Sequence, residues 1–322
     1  MFRILSTVAF AAMVASVSLA ASAKTIGFVT IQVGSINHLQ SQVIAKVVQR
    51  HTDLQARVIP TGGTTATLAS INSKAAEFNT GDITNMRQAL EGGHGFSRPL
   101  PNLRVVLTYN MLLLGILVRN DSSIKTFKDL KGKKFPTGWP EFQNAIPLIN
   151  GLFATAGYSL KDMSPVPAAG LIPAANDFKV GRSDATIFAI VAPKVRELNA
   201  AIRGGIRVLS VEKTPATLAA MKKVRQDYRI ITVQPGRPFP GVRAPTNVLA
   251  TPSVITTGTH VSDEIVYKVI KAMAENKAEL VKGHPSFRPF DPKKRMAARY
   301  PGIKHHPGAI KYFKEKGIWS EK

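Results

Sequence analysis

The first third of the chain alternates short apolar runs with segments whose apolar residues recur at helical spacing. Each apolar run is bounded by small or polar turn residues, and each helical segment begins after such a turn. The pattern predicts strands over 25–31, 55–60 and 77–81, with helices beginning near Ile36, Ala66 and Asp82. Strands that alternate with helices favour a parallel α/β sheet, whose ligands lie beyond the carboxyl ends of the strands.

The remainder of the chain repeats this alternation of strands and helices and then leads back to the first series of elements. The segments 103–108 and 112–118 predict either a strand pair or one long bent strand. A second series of strands and helices follows, and residues 247–251 can carry the chain back to the first series. Residues 262–282 have the apolar spacing of one long helix, and a last helix ends at Gly317. We therefore expect two lobes, formed by residues 24–114 with 249–322 and by residues 115–248.

The N-terminus has the organisation of a secretory signal peptide. A basic start at Arg3 is followed by a short apolar run and by the Ala-x-Ala sequence that ends at Ala23. Removal of residues 1–23 would deliver the protein to the periplasm. The alternative, an N-terminal membrane anchor, is less consistent with an apolar run this short and this rich in small residues.

The chain has no cysteine, which excludes disulfides, thiol catalysis and thiolate metal sites. Its formal net charge of +23 raises the question of nucleic-acid binding. The basic residues are dispersed, however, and they are not interleaved with aromatic side chains as a stacking surface requires. We predict a solvated basic surface that does not bind nucleic acid and that can attract acidic substrates or partners.

One loop, Thr61-Gly62-Gly63-Thr64-Thr65, joins the second predicted strand to the second predicted helix. Its glycines permit a tight turn, and its threonines can cap the helix, whose free N–H groups attract anions, including carboxylates. A plain connection is the alternative. Two similar junctions, at Gly34-Ser35 and Thr137-Gly138, favour a binding role because they would share a cleft with this loop.

No motif for catalysis is present. The sequence contains no nucleophile elbow, no P-loop and no Gly-x-Gly-x-x-Gly fingerprint. The adjacent His305 and His306 lack zinc-ligand spacing, which favours a structural role. Asp82, Asp177 and Asp184 lie at predicted element ends, where capping is the common function. We expect a binding protein without enzymatic activity, cofactor or metal.

Three segments resemble the TAXI family of solute-binding proteins, the extracytoplasmic receptors of TRAP transporters. They are the C-terminal segment 306–319, the segment 124–133, and the turn Pro235-Gly236-x-x-Phe239-Pro240-Gly241. The resemblance spans residues 24–319 and is most specific at the C-terminus. It implies a type II periplasmic binding protein with two α/β lobes, each a mostly parallel sheet flanked by helices, two hinge crossings and a ligand in the cleft.

The resemblance also implies the ligand contacts. They are Gly34, Ser35 and Ile36; Gly63, Thr64 and Thr65; Tyr109; Thr137, Gly138, Trp139, Gln143 and Asn144; and Phe188, Ala189 and Ile190. The second-lobe loop departs from the family pattern, because Trp139 and Glu141 stand where small hydroxyl residues would hold a carboxylate. We therefore hypothesise that the ligand is a more apolar or aromatic carboxylate stacked on Trp139.

The resulting prediction is a monomeric receptor that captures a small carboxylate-bearing organic anion and delivers it to TRAP membrane subunits. The alternative is a periplasmic sensory receptor that presents its ligand to a membrane signalling partner.

Overall fold

The computed structural model describes residues 24–320. Its strands are β1 Thr25–Thr30, β2 Gln55–Pro60, β3 Phe78–Asp82, β4 Leu103–Arg119, β5 Lys134–Gly138, β6 Ser164–Ala168, β7 Ala185–Ala189, β8 Ile206–Val208, β9 Arg229–Val233 and β10 Thr246–Gly258. Its α-helices are α1 Ile36–His51, α2 Thr64–Asn72, α3 Ile83–Glu91, α4 Phe127–Leu130, α5 Ala145–Ala154, α6 Leu171–Lys179, α7 Pro193–Ala201, α8 Pro215–Val224, α9 Asp263–Glu275, α10 Lys277–Gly283 and α11 Pro307–Glu315. Short 3₁₀ helices cover Leu160–Asp162 and Pro285–Phe287.

The helices begin where side chains cap their free backbone N–H groups. The Ser35 hydroxyl accepts a hydrogen bond from His38 N at 3.1 Å, and Asp82 Oδ1 accepts one from Asn85 N at 3.1 Å. Thr126 and Asp129 form a reciprocal capping box at α4. The predicted start of α1 near Ile36 and the predicted capping role of Asp82 are therefore confirmed.

Two long strands connect the lobes. The order in the main sheet is β2-β1-β3-β10-β4-β7, with β8 also paired to β4 and β9 to β10. The pairs β1–β2 and β1–β3 are parallel, whereas the pairs made by β4 and β10 are antiparallel. β4 is one continuous strand, which decides between the two alternatives for residues 103–118. Because β4 and β10 belong to both lobes, the sheet is more mixed than the mostly parallel arrangement that the sequence indicates.

The apolar core is divided into three clusters. One, which contains Trp139, Phe153 and Phe188, lies on the side of residues 115–248. The other two, centred on Phe28 with Phe313 and on Ile71 with Met86, lie on the side of the first and last segments of the chain. We keep the predicted lobe boundaries as a proposal and refer to the two sides as lobe 1 and lobe 2.

Two helix predictions were wrong in detail. The segment 262–282 forms two helices, because Asn276 leaves the helical conformation at φ −119° and ψ 37°. Helix α2 begins at Thr64 with Gly63 as its N-cap and with no side-chain capping bond, so the threonines do not cap it as predicted. The Thr61 hydroxyl instead donates to the carbonyls of Thr30 and Gly63.

The predicted signal peptide, and the anchor that was its alternative, lie outside the described residues. Among residues 24–320, no helix has both the length and the apolar character needed to cross a bilayer. His306 caps α11 by accepting a hydrogen bond from Gly308 N at 3.2 Å, and His305 is buried against Phe313 and Trp319. Both histidines thus have the structural role that their adjacency predicts.

Candidate functional site

A cavity lies between the lobes, at the carboxyl ends of β1 and β3. It leaves about 40 Å³ for the centres of water-sized molecules. The enclosed space is small, with room for a few waters or for a small organic molecule. Lobe 1 contributes the N-termini of α1, α2 and α3, and lobe 2 contributes α5, the start of α6 and the end of β7.

The lobe 1 wall is mostly polar, with Ile31 and Ile36 as its apolar side chains. It carries Ser35, Asn37, Thr64, Thr67, Asn79, Thr80, Asp82 and Asn85. Hydrogen bonds fix the orientation of two of its amides, since Asn37 Nδ2 donates to Thr80 O at 2.8 Å and Asn79 Nδ2 donates to Val29 O at 3.0 Å. Each of these amides therefore keeps its oxygen as an acceptor, and Asn79 Oδ1 lies close to Gly81 in the cavity wall.

The opposite wall is apolar. Lobe 2 and the crossing strand β4 contribute Leu112, Leu114, Phe142, Ala145, Leu148, Leu171, Ile187, Phe188 and Ala189. This wall belongs to the same apolar cluster as the core of lobe 2. A ligand in this cavity would therefore meet hydrogen-bonding groups on one side and hydrocarbon on the other.

Asp82 is the one titratable side chain among the residues that line the cavity. It is 2 % exposed, and its two oxygens accept hydrogen bonds from Asn85 N and Asn85 Nδ2, at 3.1 and 2.6 Å. Burial raises the pKa of Asp82 to about 7, although the bonds from the helix N-terminus act in the opposite direction. None of the lysine, arginine or histidine side chains of residues 24–320 lines this cavity.

Loop 61–65 forms one of the contacts that close the cleft. A Cβ atom placed on Gly63 would overlap the backbone carbonyl of Glu141, so the two lobes touch here through their main chains. Gln32 lies beside this contact, and its side-chain amide donates to Gly62 O and, at 3.3 Å, to Glu141 Oε2. The lobes are therefore in a closed arrangement at this edge.

Three side-chain contacts join the lobes on the far side of the cavity. Asn144 Nδ2, at the N-terminus of α5, donates to Asn85 Oδ1. Two ion pairs follow along α3: Arg87 with Asp227 at 3.1 Å, and Arg225 with Glu91 at 3.2 Å. Since Asn85 also donates to Asp82, hydrogen bonds run from lobe 2 to the buried carboxyl.

The structure places five of the predicted contact residues in the cavity wall: Ser35, Ile36, Thr64, Phe188 and Ala189. Three others join the lobes without lining the cavity, namely Gly34, whose carbonyl accepts from Lys194 N, Gly63, which meets Glu141, and Asn144, which donates to Asn85. The ligand-binding role of all of these residues stays a prediction.

The remaining predicted residues point elsewhere. Thr65 and Gln143 lie near Gly95, and Thr137 and Gly138 belong to β5. Ile190 is buried in the core of lobe 2. Tyr109 is buried in lobe 1, where its hydroxyl donates to Gln40 Oε1 at 2.9 Å.

The hypothesis that a ligand stacks on Trp139 does not fit the structure. Trp139 is 0 % exposed in the core of lobe 2, and its indole N–H donates to Pro136 O at 3.1 Å. The residue adopts a positive φ of 54° after Gly138, and its side chain packs in the apolar cluster of lobe 2. Phe142, three residues later, presents its ring to the cavity instead.

Most of the residues of the polar wall were not predicted from the sequence. Asn79, Thr80 and Asp82 lie close together at the end of β3, the strand whose helix junction was predicted but not considered as a binding loop. Their position at the same sheet edge as Ser35 and Thr64 was the available signal. Among the described residues, no group of histidines and carboxylates is arranged to hold a metal ion.

Comparison with family models gives the affiliation of the chain. The model of the NMT1-like family matches residues 35–317. The chain belongs to the NMT1-like family. The match includes the crossing strands and every residue that lines the cavity except Ile31, so nearly the whole site lies within the part of the chain that the family model describes.

Solved structures with the same fold include a protein of Bordetella bronchiseptica RB50, with a TM-score of 0.52 at 14 % identity over 91 % of this chain and 98 % of that one. A second is the amino acid ABC transporter substrate-binding protein AbpA of Streptococcus pneumoniae, bound to L-arginine. Its TM-score is 0.51 at 13 % sequence identity, over 82 % of this chain and 94 % of that one. A third is the BvgS VFT2 domain of Bordetella pertussis, with a TM-score of 0.50 at 13 % sequence identity, over 82 % of this chain and 93 % of that one. The two-lobed α/β fold of periplasmic binding proteins, predicted as type II, is thereby confirmed.

Proposed function

We propose that this member of the NMT1-like family is an exported solute-binding protein that captures a small molecule between its lobes. The observation that carries the proposal is the closed cavity, whose polar wall comes from lobe 1 and whose apolar wall comes from lobe 2. Because neither lobe alone surrounds the space, a ligand there would bridge both lobes and stabilise the closed arrangement.

The fold supports this function, since AbpA, a protein of the same architecture, is a substrate-binding protein with a bound amino acid. The lining of the described cavity contains no cationic side chain that could pair with the predicted carboxylate ligand. The proposed ligand is therefore a small solute that need not carry a carboxylate.

Closure can be measured directly because the chain has no native cysteine. Exposed Ser73 in lobe 1 and exposed Ser164 in lobe 2 can be replaced by cysteine and spin-labelled. Native mass spectrometry of the freshly purified protein would detect a bound small molecule. We expect its removal to lengthen the label-to-label distance, and an unchanged distance together with the absence of any bound molecule would contradict solute capture.

The membrane partner that we propose is a TRAP transporter, on the basis of the motif resemblance in segments 124–133, 235–241 and 306–319. Reconstitution with TRAP membrane subunits in vesicles should give uptake of the captured solute that depends on an ion gradient. Capture without uptake would instead favour the sensory alternative, because a sensory receptor would use the same cavity to present its ligand.

A further inference from the structure

The lining of the cavity limits the charge of its ligand. Many carboxylates in binding sites are met by an arginine, a lysine or several N–H donors. Here the one ionisable group of the lining is the carboxyl of Asp82, and the neighbouring Asn37 and Asn79 retain amide oxygens. An anionic ligand would be placed beside these acceptors without a cation to compensate its charge.

The basic residues that give the chain its positive charge do not supply a cation to the lining of the cavity. Lys194 is buried near Gly34, yet its Nζ donates to Asn176 Oδ1 at 2.7 Å and to both oxygens of Glu197, at 2.7 and 2.8 Å. Arg87 and Arg225, the cations on the Asp82 side of the cleft, are paired with Asp227 and Glu91. These side chains are held in ion pairs outside the cavity.

The hydrogen bonds around Asp82 reinforce the acceptor character of the wall. Asn144 Nδ2 donates to Asn85 Oδ1, and Asn85 Nδ2 donates to Asp82 Oδ2, so this relay ends on the carboxyl. The hydroxyls of Ser35 and Thr64 can serve as donors or acceptors, and they add no charge to the lining of the cavity. Among the side chains of the polar wall, the carboxyl of Asp82 and the amide oxygens of Asn37 and Asn79 are acceptors, whereas the amide N–H groups of Asn37 and Asn79 donate to Thr80 O and Val29 O.

We propose, on the basis of the solute-binding function proposed above, that the ligand is a small amphipathic amine. Its ammonium group would bind Asp82 with the amide oxygen of Asn79, and its hydrocarbon part would pack on Phe142, Leu171 and Phe188. The cavity admits only a small skeleton, since about 40 Å³ is free for the centres of water-sized molecules. A buried carboxylate is costly when it is alone, and an ammonium partner would compensate its charge.

A matched set of three compounds tests the proposal. Isopentylamine, isopentanol and isovalerate carry an ammonium, a hydroxyl and a carboxylate on similar branched skeletons of about six non-hydrogen atoms, a size suited to this cavity. Their affinities can be measured by isothermal titration calorimetry with the full mature chain at about pH 8, where alkylamines are protonated. We expect the amine to bind at least about tenfold more tightly than the alcohol, and isovalerate to bind more weakly than either.

Two variants test whether Asp82 is the group that binds the ammonium. Asp82→Asn removes the charge and retains a capping oxygen for α3, and it should reduce the preference for amine over alcohol to within about twofold. Asp121→Asn removes an exposed carboxyl that is remote from the cavity lining, and it should leave the preference unchanged. A preference that survives in Asp82→Asn would overturn the role of Asp82.

Equal or tighter binding of isovalerate would overturn the proposal, and so would the absence of binding by all three compounds. Neither result would contradict solute capture, because native mass spectrometry detects a co-purified molecule whatever its charge. Conversely, a protein that carries no molecule and does not close would contradict the proposed function whatever the result of the panel.

Discussion

Gly63 and Glu141 meet across the cleft so closely that a Cβ atom on Gly63 would overlap the backbone carbonyl of Glu141. No side chain fits between them. The backbone of Gly63 is extended, with φ −177°, so any residue could adopt its conformation within lobe 1. The requirement for glycine therefore comes from closure of the lobes and not from the turn itself.

Gly63→Ala should hold the lobes apart while leaving each lobe folded. The added methyl group would overlap the Glu141 carbonyl, so the closed arrangement must open. We expect the distance between spin labels at positions 73 and 164, attached through Ser73→Cys and Ser164→Cys, to lengthen. Solute affinity should fall by at least about tenfold, a loss of about 1.4 kcal/mol.

Gly62→Ala is the matched control for this prediction. A Cβ atom on Gly62 would lie 3.7 Å from Glu141 Cδ, which is an ordinary contact distance. This variant should close as the parent does. If both variants behave alike, the contact between Gly63 and Glu141 does not govern closure.

The stability of the protein should depend on Asp82 with a sign opposite to that of a salt-bridged carboxylate. Because its pKa is raised from 3.8 to about 7 in the folded state, the folded protein holds this proton where the unfolded chain has lost it. The free energy of unfolding should therefore fall as the pH rises from about 4 to about 7, by up to about 4 kcal/mol from this group. Above the folded pKa the loss is complete.

Asp82→Asn should remove this loss, since asparagine has no charge to bury and can still cap α3. The groups in electrostatic range of Asp82 are Asp227, which is paired with Arg87, and the buried Tyr109 and Tyr228. Urea unfolding of the parent and of Asp82→Asn at about pH 4.5 and about pH 8 measures the difference between their free energies of unfolding at each pH. A stability difference that is the same at both pH values would show that Asp82 keeps an ordinary pKa.

The hydrogen bond from Asn144 to Asn85 should favour closure. Asn144→Ala removes the donor from lobe 2, and a hydrogen bond of this kind contributes about 0.5–1.5 kcal/mol. We expect the open population of the spin-labelled protein to rise by about two- to tenfold. Asn150→Ala is the control, because Asn150 Oδ1 accepts from Leu160 N within lobe 2 and does not cross the cleft.

Replacement of Trp139 should lower stability and not act on ligand contacts. Trp139→Ala would leave a large cavity in the core of lobe 2, and such truncations cost about 3–5 kcal/mol. Trp139→Phe should lose less, since it keeps an aromatic ring in the same core. Solute affinity measured on the folded fraction should change little in Trp139→Phe, whereas a large loss of affinity in a fully folded variant would restore the stacking hypothesis.

The order of strands and helices followed from the sequence because local periodicity and capping agree along most of the chain. The start of α1 after Ser35 and the cap of α3 at Asp82 show this agreement. The single helix predicted over 262–282 failed because the apolar spacing continues through Asn276 while the backbone does not. Periodicity reports which face is buried, and it does not report a local break in the backbone.

The residues that line the cavity were predicted only in part, because the sequence places a residue at a junction without giving the direction of its side chain. Ser35 and Thr64 lie at strand–helix junctions, where parallel α/β topology places ligands, and both line the cavity. Trp139 follows the same kind of junction, but its side chain turns into the core. The direction of one side chain depends on the φ of its residue and on the packing around it, and neither can be derived from the pattern of residue types.

The sequence by itself determined the class of fold, two of the three strand–helix junctions that reach the cavity from lobe 1, and the absence of thiol chemistry. Only the tertiary structure decided which side chains share the cavity, because residues from both lobes meet there across long separations along the chain. It also decided the electrostatic character of the site. A net charge of +23 suggests an affinity for anions, yet the cations remain outside the cavity and the buried Asp82 lies inside it. Burial and position, which follow from packing, set the chemistry that a ligand would meet.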